Sequence, residues 1–200
     1  YQIPEAGRTA KGTNIVNILQ VEPGEKVQTM IHFRDFSNEE LYLVMITRNG
    51  TVKRLPVTAL KNIRQSGIRA ITLEEGDQLI SVRETDGTRK IIIATHDGMA
   101  ICFKETDVRC MGRDAAGVRG INLRPGDYVV GAARAKRDHQ VLMITENGYG
   151  KRTDMDEYIR ADGPQKRGGF GLKGYNITEK TGPVVGVKVV SDGDDVLVIN

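Results

Sequence analysis

The feature that most constrains this chain is a stretch that returns about every 50 residues, the period of a sheet-based repeat. Its first copy, residues 41–54, is an apolar run followed by Asn49-Gly50 and by a second run that ends on two cations. The design returns as IIIATHDGMAICFK (91–104), as VLMITENGYGKR (141–152) and as the opening of a further copy, VLVIN, from Val196. The turn glycines Gly50, Gly98 and Gly148 are 48 and 50 residues apart. Strand-like repeats of this period predict sheets that stack as blades.

A second recurring segment comes after each hairpin and opens with Gly-x-Arg or Gly-x-Lys. Its three copies are GIRAITLEEGDQLISV (67–82), GVRGINLRPGDYVVGA (117–132) and GLKGYNITEKTGPVVGV (171–187). Each full repeat is therefore predicted to run strand, Asx-Gly hairpin, strand, variable linker, strand, glycine turn, strand. The variable linkers are 55–66, 103–116 and 153–170. Ahead of them, a strand over 12–17, a turn at Pro23-Gly24-Glu25 and a strand over 26–33 are predicted as the end of a preceding repeat.

These patterns predict an all-β, blade-like domain that occupies residues 1–200. We expect a partial blade at 1–39, full blades at 40–89, 90–139 and 140–195, and the start of another at 196–200. The Asx-Gly pairs favour two-residue type I′ turns. The first strand of each repeat is continuously apolar, which predicts burial on both faces and the innermost place in its blade. Because one four-stranded unit leaves an apolar face uncovered, neighbouring units must stack or close a ring.

Composition limits the function classes. The net charge of +3 makes no strong case for a nucleic-acid partner, but the charges are segregated: residues 47–69 hold six cations and no acid, and 70–86 hold five acids and one cation. Such segregation can place one sign on one face. The two cysteines suggest reduced thiols of a cytosolic protein, with Cys102 packed as a small hydrophobe. No apolar run is long enough to span a membrane, and Tyr1 opens no signal peptide. The chain starts in mid-pattern, so we expect a fragment of a longer protein.

Cations recur at two fixed positions of the repeat. Lys53-Arg54 and Lys151-Arg152 come after the hairpin turn, and Arg69, Arg119 and Lys173 occupy the Gly-x-Arg position. Cations on a single exposed strand commonly only solvate and protect its edge. Cations repeated around a stack of blades would instead form a band suited to a bent phosphate backbone, and we favour this interpretation. The predicted DNA-binding set is Arg48, Lys53, Arg54, Arg64, Arg69, Lys104, Arg109, Arg113, Arg119, Lys151, Arg152, Lys166, Arg167 and Lys173.

Motifs for other chemistry are weak. The stretch 169–174 matches G-x-G-x-x-G, but the residues after it are strand-like and no βαβ unit surrounds it. The acidic run 192–195 lacks the spacing and the final Glu of a calcium loop. The three histidines have no metal-ligand spacing, and no nucleophile–base pair can be assigned. We therefore predict no catalytic residue and no metal site.

The loop 165–171 is the most specific local feature. It places two cations before a glycine-rich turn: Gln165, Lys166, Arg167, Gly168, Gly169, Phe170 and Gly171. Glycines let backbone approach a phosphate closely, with amides free to donate. A flexible, soluble connection would have the same composition, and the residues alone leave both interpretations open.

The repeats, the opening YQIPEAGRTAKGTNIVNIL, the segment ENGYGKR and the loop QKRGGFG together resemble the C-terminal domains of DNA gyrase A subunits, over essentially all 200 residues. The resemblance implies a β-pinwheel, a propeller-like disc of six four-stranded blades whose neighbours exchange strands, of which this chain holds part. It implies a basic rim that wraps double-stranded DNA and so supports ATP-dependent negative supercoiling by the gyrase holoenzyme, a type II DNA topoisomerase.

The resemblance also implies partners and a location. The partners would be duplex DNA, the gyrase B subunit, and the rest of the gyrase A subunit, in bacterial cytoplasm, with no membrane and with the isolated fragment monomeric. ATP and Mg²⁺ would act elsewhere in the holoenzyme, so no cofactor is expected here. None of the six tyrosines is a candidate for the DNA-cleaving tyrosine.

One departure and two alternatives bear on function. The family's signature loop, Gln-Arg-Arg-Gly-Gly-Lys-Gly, belongs to its first blade. Here a similar loop lies three repeats further on, with Lys166 and Phe170 replacing Arg and Lys, which suggests a degenerate second copy. The C-terminal domain of the topoisomerase IV A subunit, which would bend DNA without negative supercoiling, is a close alternative. A propeller-like protein-interaction module is an alternative from another class.

Overall fold

A computed structural model describes residues 4–19, 21, 24–33, 36–64, 66–159 and 163–197. In these ranges the chain forms strands and short 3-10 turns, and none of their helical turns is long and apolar enough to cross a membrane. The strands are β1 (Tyr42–Thr47), β2 (Thr51–Pro56), β3 (Leu79–Thr85), β4 (Lys90–Thr95), β5 (Met99–Lys104), β6 (Val118–Arg119), β7 (Val129–Ala135), β8 (Gln140–Thr145), β9 (Gly150–Asp154), β10 (Leu172–Lys173) and β11 (Val184–Val190). The 3-10 turns are Ile15–Asn17, Val57–Leu60, Glu105–Asp107 and Met155–Tyr158.

The strands form three antiparallel sheets, one for each full repeat. Their orders are β3-β1-β2-β6, β7-β4-β5-β10 and β11-β8-β9. The fourth strand of the first sheet, β6, comes from the second repeat, and the fourth strand of the second sheet, β10, comes from the third repeat. The all-β class and the blade-like repeat are therefore confirmed, and the exchange of strands between neighbours is present in the described sheets.

The apolar first strands β1, β4 and β8 lie inside their sheets, each between two neighbours. The prediction that they are the innermost strands is wrong. The last strands β3, β7 and β11 form one edge, and β7 contacts both β3 and β11. We call this the inner edge, and the opposite edge, formed by β6 and β10 where they are present, the outer edge. A continuous apolar run indicates that both faces of a strand are buried. Central strands and edge strands of stacked sheets can both meet this condition, so the run does not determine the place of the strand in its sheet.

The core lies between the sheets and explains the apolar runs. Along β4, Ile91 and Ile93 face the first sheet and pack with Val44 and Ile46. The alternate residues of β4, Ile92 among them, pack with Val141 of the third sheet. Since successive side chains of a strand point to opposite faces, a strand between two sheets must be apolar at every position.

The hairpin turns differ from the predicted type I′. Gly50, Gly98 and Gly148 have positive φ of 79–84°, but no Asx residue before them does. In the first hairpin the Gly50 amide donates to the Thr47 carbonyl (3.1 Å), and the Thr51 amide donates to Thr47 Oγ1 (3.2 Å). This is a three-residue loop, a type I turn that ends on a left-handed glycine. Threonine recurs at the buried position before each loop, as Thr47, Thr95 and Thr145, and its hydroxyl accepts an amide hydrogen bond each time.

The predicted strands before the first full repeat are not found in the described residues. Residues 12–14 form no strand and Gly12 has a φ of +77°, Ile15–Asn17 is a 3-10 turn, and 26–33 form no strand. The segment 67–74 likewise pairs with no strand in the described part of the chain. A segment with strand-like composition forms a β-ladder only when a partner strand lies beside it. The composition of the segment does not reveal whether such a partner exists. Pro23 and residues 198–200 of the predicted next blade lie outside the described residues.

Candidate nucleic-acid interface

The outer edges of the first two sheets present a cation from the same repeat position. In β6, Val118 is turned toward the core and Arg119 is exposed. In β10, Leu172 is half-buried and Lys173 is exposed. Arg119 pairs with Thr51, and Lys173 pairs with Met99, so each cation lies beside the hairpin of the preceding repeat. Arg69, at the equivalent position of the first repeat, is also exposed.

Backbone contacts fix these outer strands against the hairpin turns. The Gly50 carbonyl accepts from the amides of Gly120 (2.8 Å) and Ile121 (3.3 Å). The Gly98 carbonyl accepts from Gly174 (2.8 Å) and Tyr175 (3.0 Å) in the same way. The two cations are therefore held by the same construction on successive blades.

Glycine begins each outer strand for a steric reason. Gly171 has a φ of +78°, and a Cβ there would collide with the carbonyl oxygen of Ala100. Gly117 has a φ of +118°, and its Cβ would lie 2.8 Å from the Val52 carbonyl oxygen. Only glycine combines this backbone conformation with such a close approach.

The other predicted cations divide by exposure. Those with exposed side chains are Arg64, Arg69, Lys104, Arg109, Arg119, Lys151, Arg152, Lys166 and Lys173. Arg152 makes an ion pair with Asp192 (2.8 Å), and Lys151 lies 5.3 Å from the centre of the Tyr175 ring. An exposed ion pair of this kind is weak, so it leaves the Arg152 guanidinium available to exchange partners.

The environment of Lys53 removes this residue from the predicted DNA-binding set. Its side chain is 0% exposed, and Nζ donates to the carbonyls of Ala70 (2.8 Å), Arg113 (2.6 Å) and Ala115 (2.7 Å). Burial lowers the Lys53 pKa, and the charge of Asp114 acts in the opposite direction. All three ammonium protons are used inside the protein, so Lys53 is withdrawn as a phosphate ligand. The sequence held one indication that this position is buried: the next repeat has the apolar residue Ile101 at the same hairpin position, and Ile101 is buried.

Four further predicted cations are half-buried. The Arg48 guanidinium lies 3.5 Å from the centre of the Tyr128 ring, which also stacks on His96 (4.5 Å between centroids). Arg54 lies 4.8 Å from the ring centre of Tyr42. Both arginines are therefore partly engaged in cation–π contacts. Arg113 and Arg167 are the other half-buried members of the set.

The glycine-rich loop is fastened to the second repeat. Arg167 donates from Nε to the Asp107 carbonyl (2.8 Å) and from a terminal nitrogen to the Arg119 carbonyl (3.0 Å). The Gly168 amide donates to Gly120 (2.6 Å), and the Gly169 carbonyl accepts from Asn122 (2.8 Å). The expectation of a free Gly168 amide is therefore wrong, because the amide and the arginine join neighbouring repeats. Lys166 and Phe170 remain exposed.

One cluster of possible metal-ligand atoms was not predicted from the sequence. His96, Asp97 and Asp127 place one ligand atom each within 4.8 Å of the others. Asp127 Oδ1 accepts the amides of Asp97 (3.0 Å) and Tyr128 (2.8 Å), and the His96 Nδ1–Asp97 Oδ1 distance is 3.1 Å. An equivalent contact, from the Asn49 amide to Asp77, holds the first hairpin turn. Turn geometry therefore accounts for the cluster. The sequence pattern that could have identified it is the Gly-Asp pair of the first two repeats, Gly76-Asp77 and Gly126-Asp127.

Comparison with known proteins agrees with this geometry. The profile described as DNA gyrase C-terminal domain, beta-propeller, matches residues 1–33, 41–86, 89–136 and 139–191. The DNA gyrase A subunit of Clostridium acetobutylicum is 51% identical over 200 residues, which are the whole of this chain and 24% of that protein. The gyrase A subunit of Lawsonia intracellularis is 46% identical over 202 residues, with 100% and 24% covered. The chain spans about a quarter of the length of these relatives.

Solved structures with the same fold include two close likenesses. A C-terminal domain of DNA topoisomerase IV superposes with a TM-score of 0.82 at 30% identity, over 90% of this chain and 55% of that one. A DNA gyrase A C-terminal domain gives 0.78 at 30% identity, over 92% and 60%.

Stacked sheets, two of which take their fourth strand from the next repeat, define a propeller-like repeat domain of the β-pinwheel type. The matches over nearly the whole chain then fix the relationship: the chain belongs to the DNA gyrase C-terminal domain family.

Proposed function

We propose that the chain binds duplex DNA without sequence-specific base contacts and bends it along the outer edge of the blades. The observation that carries this proposal is the pair Arg119 and Lys173, exposed at the same position of successive outer edges. Phosphate contacts of Lys and Arg supply most non-specific affinity. Exposed cations repeated along this edge can meet successive phosphates, and phosphate contacts carry no sequence information directly.

In the parent protein we infer a part in ATP-dependent negative supercoiling. The chain would bend and wrap DNA for a gyrase holoenzyme built from A and B subunits, with duplex DNA as its ligand. ATP hydrolysis, Mg²⁺ and strand cleavage would be supplied by other parts of this cytoplasmic enzyme. The chain itself would contribute no catalytic residue or cofactor, and it would be monomeric when isolated. The identity to gyrase A subunits supports this placement.

The salt dependence of binding tests the DNA proposal. A duplex of about 40 base pairs should be retarded at low salt, with a log–log salt slope near −5 if about six phosphates are contacted. The double variant Arg119→Ala with Lys173→Ala should reduce the magnitude of that slope by about 2 and weaken binding to all DNA sequences alike. Lys188→Ala is the matched control, because Lys188 is an exposed cation on the inner strand β11. Wild-type binding that does not change with salt, or no retardation at all, would contradict the proposal and favour the protein-interaction module.

The likeness to a topoisomerase IV domain favours bending without supercoiling as the second candidate. Sealing a nicked plasmid in the presence of the chain separates the two candidates. A handed wrap shifts the linking number of the sealed circles, and the gyrase-like role requires that shift. Binding without any shift would assign the chain to the bending role.

A further inference from the structure

Phe170 is an aromatic side chain with no place in the core. It is 48% exposed, at the position directly before the glycine that opens β10. The equivalent positions of the other two repeats hold the small residues Ser66 and Ala116. A large apolar side chain is therefore not a general requirement of this repeat position, and Phe170 is a feature of the third repeat.

The backbone around Phe170 is fixed on both sides. Before it, Gly168 and Gly169 are hydrogen-bonded to Gly120 (2.6 Å) and Asn122 (2.8 Å). After it, Gly171 is left-handed and lies against the Ala100 carbonyl, and Leu172 begins the ladder with β5. The positive φ of Gly171 breaks the strand alternation just before β10. The ring is thus presented at a fixed point of the outer edge.

The segment that carries Phe170 is positively charged, and the exposed acid Asp107 lies beside it, where its carbonyl accepts from Arg167. Residues 163–173 contain Lys166, Arg167 and Lys173 and no acid. Arg119 adds a further exposed cation, and its carbonyl is bound by Arg167. A surface that joins cations with an apolar ring is complementary to duplex DNA in the minor groove, where phosphates flank sugars and base edges.

We propose that Phe170 is a wedge that enters the minor groove at a base-pair step and favours a kink there. The inference rests on the proposed DNA binding and adds to it a preference for deformable steps. Pyrimidine–purine steps such as TA unstack easily, whereas A-tracts are stiff. An apolar side chain inserted at a flexible step bends the duplex and brings more of its backbone onto the cations.

The test compares two duplexes of about 40 base pairs with the same base composition. One carries TA steps a helical turn apart, with 2-aminopurine at one step, and the other carries A-tracts. We expect wild type to prefer the TA duplex by about three- to tenfold, and 2-aminopurine to brighten as it unstacks. Phe170→Ala should bring the ratio close to 1 and remove the brightening, with the salt slope unchanged because no cation is lost. Phe170→Leu should retain both signals, since it keeps an apolar wedge.

Val185→Ala is the matched control, because Val185 is 51% exposed but lies on the inner strand β11. It should behave as wild type. The wedge is overturned if Phe170→Ala keeps the preference and the brightening, or if Val185→Ala loses them equally. Failure of the underlying proposal looks different: wild type would then bind neither duplex in a salt-dependent way.

Discussion

Two lysines in the same register position have opposite environments. Lys53 pairs with Met45 and is fully buried, whereas Lys151 pairs with Met143 and is exposed. The difference comes from the second repeat, whose residues Arg113 and Ala115 cover Lys53 with carbonyl groups. The burial of Lys53 therefore depends in part on residues about 60 positions further along the chain.

Replacement of Lys53 should destabilise the protein. Lys53→Met leaves three carbonyls without their donor, and we expect a loss of about 2–4 kcal/mol in the free energy of unfolding. Lys151→Met at the same hairpin position should change it by no more than about 0.5 kcal/mol. Urea denaturation of both variants measures the difference. Equal midpoints for the two would contradict the assigned burial.

The two thiols should differ sharply in reactivity. Cys102 is buried, and desolvation raises its pKa to about 11, while Cys110 is exposed. The thiolate is the reactive form, so near pH 8 the native protein should react through Cys110 only. A thiol-specific chromogenic reagent should count one group per chain before denaturation and two after it. Two fast thiols in the native state would contradict the packing of the second sheet.

At the scale of the element, sequence periodicity predicted the repeat, its hairpins and the buried first strands. It did not predict the turn type or the place of each strand in its sheet. Asn49 keeps a negative φ because Thr47 and Gly50 close a three-residue loop, and that choice depends on the strand register. A strand was predicted in each Gly-x-Arg or Gly-x-Lys segment, but not its length of two residues or its pairing with another repeat, as found for β6 and β10.

The outer strand β10 gives a direct test of strand exchange. Gly171→Ala introduces a collision with Ala100, whereas Gly148→Ala faces open space with a similar φ. Both should lose about 1–2 kcal/mol from left-handed strain. Gly171→Ala should lose about 1–3 kcal/mol more, because its Cβ overpacks the β10–β5 contact. Thermal unfolding of the pair measures this excess, and identical melting temperatures would place β10 elsewhere.

At the scale of the whole molecule, the candidate interface was only partly predictable. Recurrence of Arg119 and Lys173 identified the outer-edge cations, because equivalent repeat positions face the same way. Recurrence failed for Lys53 and for the loop residue Arg167, because both side chains donate to carbonyls of another repeat. Backbone carbonyls leave no mark in a sequence, so contacts of this kind appear only in three dimensions.

Lysine footprinting tests the outer-edge account most directly. Each lysine is acetylated with and without a saturating duplex at low salt, and its reactivity is read by mass spectrometry. We expect DNA to protect Lys166 and Lys173 several-fold, because an amine held at a phosphate is shielded from the reagent. Lys188 on the inner strand should react equally in both samples, and buried Lys53 should stay unreactive. Protection of Lys188 with none at Lys173 would contradict the account.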